Sequence, residues 1–235
     1  MKKNSYSFFC PAYYDEKNIT LVVEKAINLL NEIAVDYEIF VINDGSPDKT
    51  GEVADALAKK YNKVHVIHHK TNLGYGAALQ DGFKHANRFE YVLFTDGDNQ
   101  YDVNDFKKML PLLEGNDMVI GFREFNANST LRKIISFFYN LAIRTLYGVN
   151  FKDMGTALRV VRRASVNKIH ITCNGPFAPA EIILKLANMG HRIAAVPMRS
   201  YPRLHGRSTS LLPKNTLITI AEMVRIWWLI KTKQF

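Results

Sequence analysis

The first half of the chain alternates apolar runs with amphipathic stretches, and each apolar run stops at a polar turn. Ser5 to Cys10 reads as an apolar strand, and Asn18 to Ala34 carries apolar residues at helical spacing (Ile19, Val22, Val23, Ala26, Ile27, Leu30). Tyr37 to Ile42 is a β-branched and aromatic run closed by Asn43-Asp44-Gly45-Ser46-Pro47, a strong turn signal. A helix opens at Asp48 or Thr50 and runs through Lys60, and Val64 to His68 is a short strand. Gly74 to Ala86 is helical after a glycine-rich turn, and Tyr91 to Thr95 is a strand ended by Asp96-Gly97-Asp98. This βαβαβαβ order predicts an α/β fold, with a mostly parallel central sheet and helices on both faces. In such sheets ligands sit beyond the carboxyl ends of the strands. Every polar cluster discussed below falls at such an end.

The second half is less regular. A helix is expected over Phe106 to Leu113, a strand over Met118 to Phe122 ending at Arg123, and a long amphipathic helix over Thr130 to Tyr147. Leu158 to Arg162 reads as a strand, Pro179 to Met189 as a helix and His191 to Val196 as a strand. Tyr201 to Asn215 is polar and basic. With 235 residues and no repeat, the expectation is one domain over 1–212, followed by a C-terminal amphipathic helix over 213–235. The stretch from Leu217 to Ile230 is interrupted by Glu222 and Arg225, so it is too polar to span a bilayer. Trp227, Trp228, Lys231 and Lys233 suit a helix lying on a membrane surface. The N-terminus lacks the apolar core of a signal peptide, and Cys10 and Cys173 read as free buried thiols. The expected location is therefore cytoplasmic, peripheral on the cytoplasmic face of the membrane.

The net charge of +9 calls for an anionic partner. No nucleic-acid recognition motif is present, and the positive charge gathers after residue 122. The partners that remain are phosphorylated molecules and acidic membrane.

Asp96-Gly97-Asp98-Asn99-Gln100 follows a fully apolar strand. Two carboxylates spaced i, i+2 around a small residue can close on one divalent cation, with Gln100 adding a neutral oxygen; hard cations such as Mg²⁺ take such ligands. Asp44 at the end of its strand can hydrogen-bond a base or ribose; alternatively Asp44 and Ser46 only make the turn, and Asp48 or Thr50 only caps the helix. Gly74 and Gly76 permit close backbone approach at a helix start, a place suited to anionic or ribosyl groups. The spacing is not that of a dinucleotide fingerprint, and there is no phosphate-binding loop.

In this order the motifs resemble the family 2 glycosyltransferases, which have the nucleotide-sugar-binding GT-A fold. Pro11-Ala12-Tyr13-Tyr14-Asp15 is similar to that family's opening P-x-Y-N-E, with Asp15 where Glu is usual, and Asn43-Asp44-Gly45-Ser46 to its D-D-G-S. The resemblance implies that Pro11, Tyr13, Asp15, Asp44 and Gly74 surround the donor nucleotide. It places Asp96 at ribose or metal and Asp98 at the metal. Within the family the chain most resembles the polyprenyl-phosphate (dolichyl-type) sugar synthases. Asp98-Asn99-Gln100 is similar to their D-x-D-x-Q, and Met118 to Arg123 to their strand ending in Ser-Arg. Arg132 to Ser136 is similar to their acceptor-phosphate helix start. Arg203 to Ser208 is similar to their R-x-x-G-x-S-K loop, with Thr209 for the Lys. Asp153 sits where that group has an acid before a small-residue turn.

These features imply direct displacement at the anomeric carbon of a GDP- or UDP-linked sugar, assisted by Mg²⁺ or Mn²⁺ held by Asp96, Asp98 and Gln100. A polyprenyl phosphate is already anionic at neutral pH, so arginines and not a base should line the acceptor side: Arg123, Arg132 and Arg203, with Ser136. Asp98 and these three arginines are the catalytic candidates. A sugar-hydroxyl acceptor would instead need a carboxylate base, for which Asp153 and Glu181 are the candidates. A non-catalytic basic binding protein is the remaining alternative.

Overall fold

The computed structural model describes residues 4–126, 130–203, 205 and 213–234. Strands β1 (Tyr6–Ala12), β2 (Tyr37–Asn43), β3 (Val64–His68) and β4 (Tyr91–Phe94) alternate with helices α1 (Ile19–Ile33), α2 (Thr50–Lys60) and α3 (Tyr75–His85). Then come α4 (Phe106–Met109), β5 (Met118–Asn126), α5 (Thr130–Tyr147), β6 (Arg159–Arg162), α6 (Arg163–Val166), α7 (Ala178–Asn188), β7 (Ile193–Ser200) and α8 (Pro213–Lys231). The sheet order is β3-β2-β1-β4-β6-β5-β7. All neighbours pair in parallel except β6, which runs antiparallel to both β4 and β5.

The strands at the centre read as unbroken apolar runs because both faces are covered. Every residue of β1 and of β4 is buried. Successive side chains of β1 feed opposite cores: Phe8 meets Phe106 edge-on on one side, and Phe9 stacks on Phe94 at 5.0 Å on the other. Cys10 and Cys173 are free and buried.

Three local expectations change, the first being that the strand expected over His191 to Val196 runs from Ile193 to Ser200 as β7. The helix expected over Phe106 to Leu113 breaks into 3₁₀ turns at Val103–Asp105 and Leu110–Leu113 around the single turn of α4. Pro111 has no N–H with which to continue an α-helical ladder. The strand expected to end at Arg123 continues to Asn126, and its register against β7 slips between Arg123 and Phe125. Such an irregularity re-aims side chains locally, and here it falls beside Arg123.

Helix α8 docks on the protein along one face. Ile226 is buried, and the Glu222 carboxylate accepts hydrogen bonds from the Gly175 N–H (2.8 Å) and the Phe177 N–H (3.3 Å) ahead of α7. The Trp227 ring N–H donates to the Leu146 carbonyl (2.9 Å), and the Tyr147 hydroxyl to that of Met223. The opposite face of α8 exposes Leu217, Ile220, Val224 and Trp228, while α5 exposes Ile134, Phe137, Phe138 and Leu141. Among the described residues no helix is long and apolar enough to cross a membrane.

Gly82 sets how closely α3 lies on the sheet, since a Cβ there would come within 2.3 Å of the Phe9 ring. Gly82→Ala gains about 1 kcal/mol of helix propensity. It also overpacks a ring held between Phe83 and Phe94, at a cost of about 1–3 kcal/mol. A net loss of stability is expected, read as a lower urea midpoint at unchanged slope.

Candidate active site

The parallel strands β1, β2 and β4 end on the same side of the sheet, and the polar loops that leave them meet there. Past the end of β4, the Thr95 N–H donates to the Phe9 carbonyl (3.3 Å) and the Gly97 N–H to that of Pro11 (2.9 Å). This extension of the β1–β4 ladder holds Asp96 and Asp98 beside the loop from Tyr13 to Asp15. Space for the clamp is tight, for a Cβ at Gly97 would lie 3.0 Å from the Pro11 oxygen.

Each carboxylate has its own partners. Asp96 accepts from the Tyr75 hydroxyl (2.6 Å), and Asp98 from the Gln100 N–H (3.0 Å). Asp15 accepts from the Tyr13 N–H (3.0 Å) and the Asn18 amide (3.2 Å). One guanidinium nitrogen of Arg203 stands 3.1 Å from Asp15 and 3.4 Å from Asp98. The Gln100 amide also donates to the Tyr201 carbonyl (3.1 Å), which joins this turn to the exit of β7. Tyr14 and Asn99 hold left-handed backbones, with φ of 58° and 56°. For non-glycine residues that conformation is uncommon and gathers at functional loops.

Burial and the neighbouring Asp98 charge push the Asp96 carboxyl up to about 7. Burial pushes Asp15 up to about 6, against the opposing pull of Arg203. Behind the cluster, on β6, lies Arg159, which is wholly buried. It donates to three backbone carbonyls, of Thr156 (2.9 Å), Met154 (2.7 Å) and Pro179. Burial lowers its proton affinity, and Tyr75, Tyr139, Asp96 and Asp153 act in the opposite sense.

Asp44 takes a different part from a base-reading acid. Its Oδ1 accepts from the His69 ring (2.7 Å) and the Leu73 N–H (2.8 Å), and its Oδ2 from the Asn72 amide (3.0 Å) and the Gly74 N–H (3.0 Å). All four lone-pair positions of the carboxylate are thus taken by its own loop. His69 in turn reaches Asp81 through its other ring nitrogen (2.9 Å). The close approach permitted by Gly74 and Gly76 is likewise filled by protein: a Cβ at Gly74 would lie 2.3 Å from the Asn174 oxygen, and one at Gly76 2.0 Å from that of Cys173. The space inferred for a ligand there belongs to the 173–174 backbone. Ser46, Asp48 and Thr50 do make the turn: Ser46 donates to Asp48 (2.6 Å), Asp48 accepts the Thr50 N–H (3.0 Å), and Thr50 Oγ1 accepts the Asp15 N–H (2.9 Å).

Across the cleft, Arg123 forms a two-point pair with Asp153, Nε at 2.6 Å and Nη2 at 2.9 Å, and the same Nη2 reaches Ser136 at 3.4 Å. Burial disfavours the ionised Asp153, but the Arg123 guanidinium outweighs it and holds that carboxyl below the usual range. Buried Tyr101 lies within electrostatic reach of both this pair and the Asp96/Asp98 turn. Glu181 is not in the cleft. It is wholly buried, paired with Lys185 at 2.7 Å, and it accepts from the Thr172 N–H and hydroxyl and from the Cys173 N–H. A carboxylate so engaged has no access to a substrate proton, so the expectation that Glu181 might serve as a base is corrected. The side chain of Arg132 lies outside the described residues, as do Gly206, Arg207, Ser208 and Thr209.

Tyr75, Tyr101, Asp81 and Arg159 were not singled out by sequence. For Arg159 the signal is a cation set between the apolar pairs Ala157-Leu158 and Val160-Val161, at the start of β6.

Because folding raises the Asp96 and Asp15 values above the unfolded value of about 3.9, the folded chain binds these protons more tightly. The unliganded protein should therefore lose stability as pH rises from about 4 towards about 7. Asp96→Asn removes one of these charges. It is expected to raise Tm more at pH 7.5 than at pH 5, as read by scanning calorimetry.

Residues 7–169 match the family model for glycosyl transferase family 2. A dolichyl-phosphate beta-glucosyltransferase of Trichomonas vaginalis is 30% identical over 213 residues, covering 82% of this chain and 64% of the relative. An undecaprenyl-phosphate mannosyltransferase of Micrococcus luteus is 27% identical over 208 residues, covering 84% of each. The chain spans 51% and 57% of the length of two further relatives, a putative glycosyltransferase of Bacillus subtilis and a glycosyltransferase of Haloferax volcanii. Among solved structures, glucosyl-3-phosphoglycerate synthase from Mycobacterium tuberculosis, in complex with Mn²⁺, UDP and phosphoglyceric acid, superimposes with a TM-score of 0.74 at 20% identity. That match covers 95% of this chain and 78% of the other. The fold is the GT-A fold, and the chain belongs to the family 2 glycosyltransferases.

Proposed function

We propose that this enzyme transfers a sugar, with inversion, from a GDP- or UDP-linked donor to the phosphate of a polyprenyl phosphate, using Mg²⁺ or Mn²⁺. The names of the Trichomonas and Micrococcus relatives support the acceptor class. The Mycobacterium structure with Mn²⁺ and UDP supports the donor and cofactor class.

The observation that carries the acceptor assignment is the Arg123–Asp153 pair. A hydroxyl acceptor needs a base, and Asp153 is bound at two points by a guanidinium that keeps it ionised and weakly basic. A phosphate monoester, with a second pKa of about 6, needs no base. What it needs is fixed positive charge and hydrogen-bond donors, and Arg123 and Ser136 stand together to supply them. Arg132 and Arg203 join this side of the cleft in the same reading.

On the donor side, Asp98 and Gln100 present hard oxygens, with Asp96 behind them oriented by Tyr75. Among the described residues no three His, Cys, Asp or Glu side chains form a closed metal cage. An ion held by few protein ligands and completed by substrate phosphates suits Mg²⁺ or Mn²⁺. Bound there, it would neutralise charge on the departing nucleoside diphosphate. Pro11, Tyr13 and Asp15 flank the base in this reading, with the Tyr13 and Tyr14 rings edge-to-face at 4.6 Å. Asp44 contributes by holding the 69–74 loop in shape. The apolar stripes on α5 and α8 rest on the cytoplasmic leaflet, with Lys231 and Lys233 at the headgroups. Residues 213–235 are then a membrane-surface helix attached to a catalytic domain over 1–212.

Purified protein given labelled nucleotide sugar, Mn²⁺ and a short-chain polyprenyl phosphate should yield labelled lipid. Labelling of free polyprenol or of phosphoglycerate in place of polyprenyl phosphate would reject the acceptor assignment. Asp98→Ala should lower kcat by about 10²–10³-fold with little change in Tm. Arg123→Lys keeps the charge but loses the fork, so KM for the polyprenyl phosphate should rise while KM for the donor stays put. Sedimentation with vesicles containing anionic lipid should weaken for Trp228→Ser combined with Phe138→Ser.

A further inference from the structure

Arg203 stands at a point that a bound metal ion would need. Its Nη2 lies 3.1 Å from Asp15 Oδ1 and 3.4 Å from Asp98 Oδ2, so a single guanidinium bridges two carboxylates that belong to different strand ends. Its side chain is largely buried, Asp15 is 3% exposed and Asp98 8%. Solvent therefore screens these pairs poorly. A divalent ion approaching Asp98 meets a positive charge already seated on the oxygen it must use. Like charges at such separations repel by several kcal/mol in a partly dry site.

We propose that Arg203 is the resident cation of this carboxylate cluster and that a divalent ion enters by displacing it, which frees the Arg203 guanidinium for a substrate phosphate. The proposal rests on the metal assignment made above and adds to it a competition. Whatever holds Arg203 on Asp15 and Asp98 is subtracted from metal affinity in the absence of substrate. The cost is recovered when donor or acceptor phosphate supplies a new anion for the guanidinium. Metal and phosphate would thus bind with positive coupling, by linkage through one side chain. Arg203 stands three residues past the end of β7, and Gln100, through its side-chain amide and its backbone carbonyl, holds Tyr201, two positions before Arg203. The segment after β7 would then move with the charge.

The test is Mn²⁺ binding to the full chain without nucleotide, read by the electron paramagnetic resonance signal of free Mn²⁺. Arg203→Gln should bind Mn²⁺ about three- to tenfold more tightly than wild type, and Arg203→Lys should lie nearer to wild type. Unchanged or weaker Mn²⁺ binding by Arg203→Gln would overturn the proposal. Asp98→Asn separates this outcome from failure of the metal assignment itself: if Asp98→Asn binds Mn²⁺ as well as wild type does, the assignment falls, whatever Arg203 does. A second measurement needs no Arg203 variant. Trypsin should cleave wild type after Arg203 faster when Mn²⁺ is added, with no such gain in Asp98→Asn. An equal rate with and without Mn²⁺ in wild type counts against displacement.

Discussion

Negative charges crowded at the ends of parallel strands are the constraint to which the rest of this site answers. Asp15, Asp96 and Asp98 are brought together by the ladder that runs past β4, in which the Gly97 N–H is bound to the Pro11 carbonyl. Two unit charges about 4 Å apart interact by about 4 kcal/mol at the effective dielectric of a protein surface. An arrangement like this persists only if compensated. Compensation comes from the Tyr75 hydroxyl on Asp96, from backbone donors on Asp15 and Asp98, and from the Arg203 guanidinium in front. Arg159 adds a fixed charge from behind, where it donates to the backbone carbonyls of Met154, Thr156 and Pro179. Burial, more than the neighbouring charges, raises the proton affinities of Asp96 and Asp15.

The other side of the cleft is built on the opposite principle. There Asp153 holds the Arg123 guanidinium at two points, and the pair is nearly dry. The same division runs through the chain as a whole: 18 of its 31 Lys and Arg, but only 4 of its 22 Asp and Glu, come after residue 122. Asp15, Asp44, Asp96 and Asp98 of the first half sit at the ends of β1, β2 and β4, and Arg203 of the second half faces Asp15 and Asp98. The net charge of +9 is therefore an average over two unlike surfaces. Its meaning lies in the separation.

Much of this was legible in the residues, and the parts that were not have physical reasons. β1, β2, β3 and β4 and the helices between them end within a residue or two of where hydrophobic pattern and turn residues place them, because there both signals are local. Asp96, Asp98 and Gln100 stood out because three polar side chains directly follow a buried strand. The insertion of β6, antiparallel between β4 and β5, has no local signature, for a strand's neighbours are chosen by the packing of the whole sheet. Gly74 and Gly76 were rightly read as places of close approach, but a glycine does not say what approaches, and here it is the 173–174 backbone. Asp44 is likewise held by its own loop. An acid at a strand end looks free until the loop that comes back to fill it is seen, and that loop begins 25 residues later at His69.

The loop that fills Gly74 and Gly76 also explains why helices remote in sequence belong to the site. Glu222 on α8 binds the backbone of Gly175 and Phe177, and Glu181 on α7 binds that of Thr172 and Cys173. Between those two anchors the Asn174 carbonyl accepts the Gly76 N–H at 2.9 Å. That bond fixes the first turn of α3, and the first residue of α3 is Tyr75, whose hydroxyl holds Asp96. Glu181 is buried and Glu222 half-buried, and both accept from backbone donors. Removal of either would leave orphaned N–H groups, and those cost more than the bond itself contributes. Glu181 and Glu222 thus set the position of Asp96 without approaching a substrate. The same contacts link the exposed apolar face of α8 to the carboxylate turn.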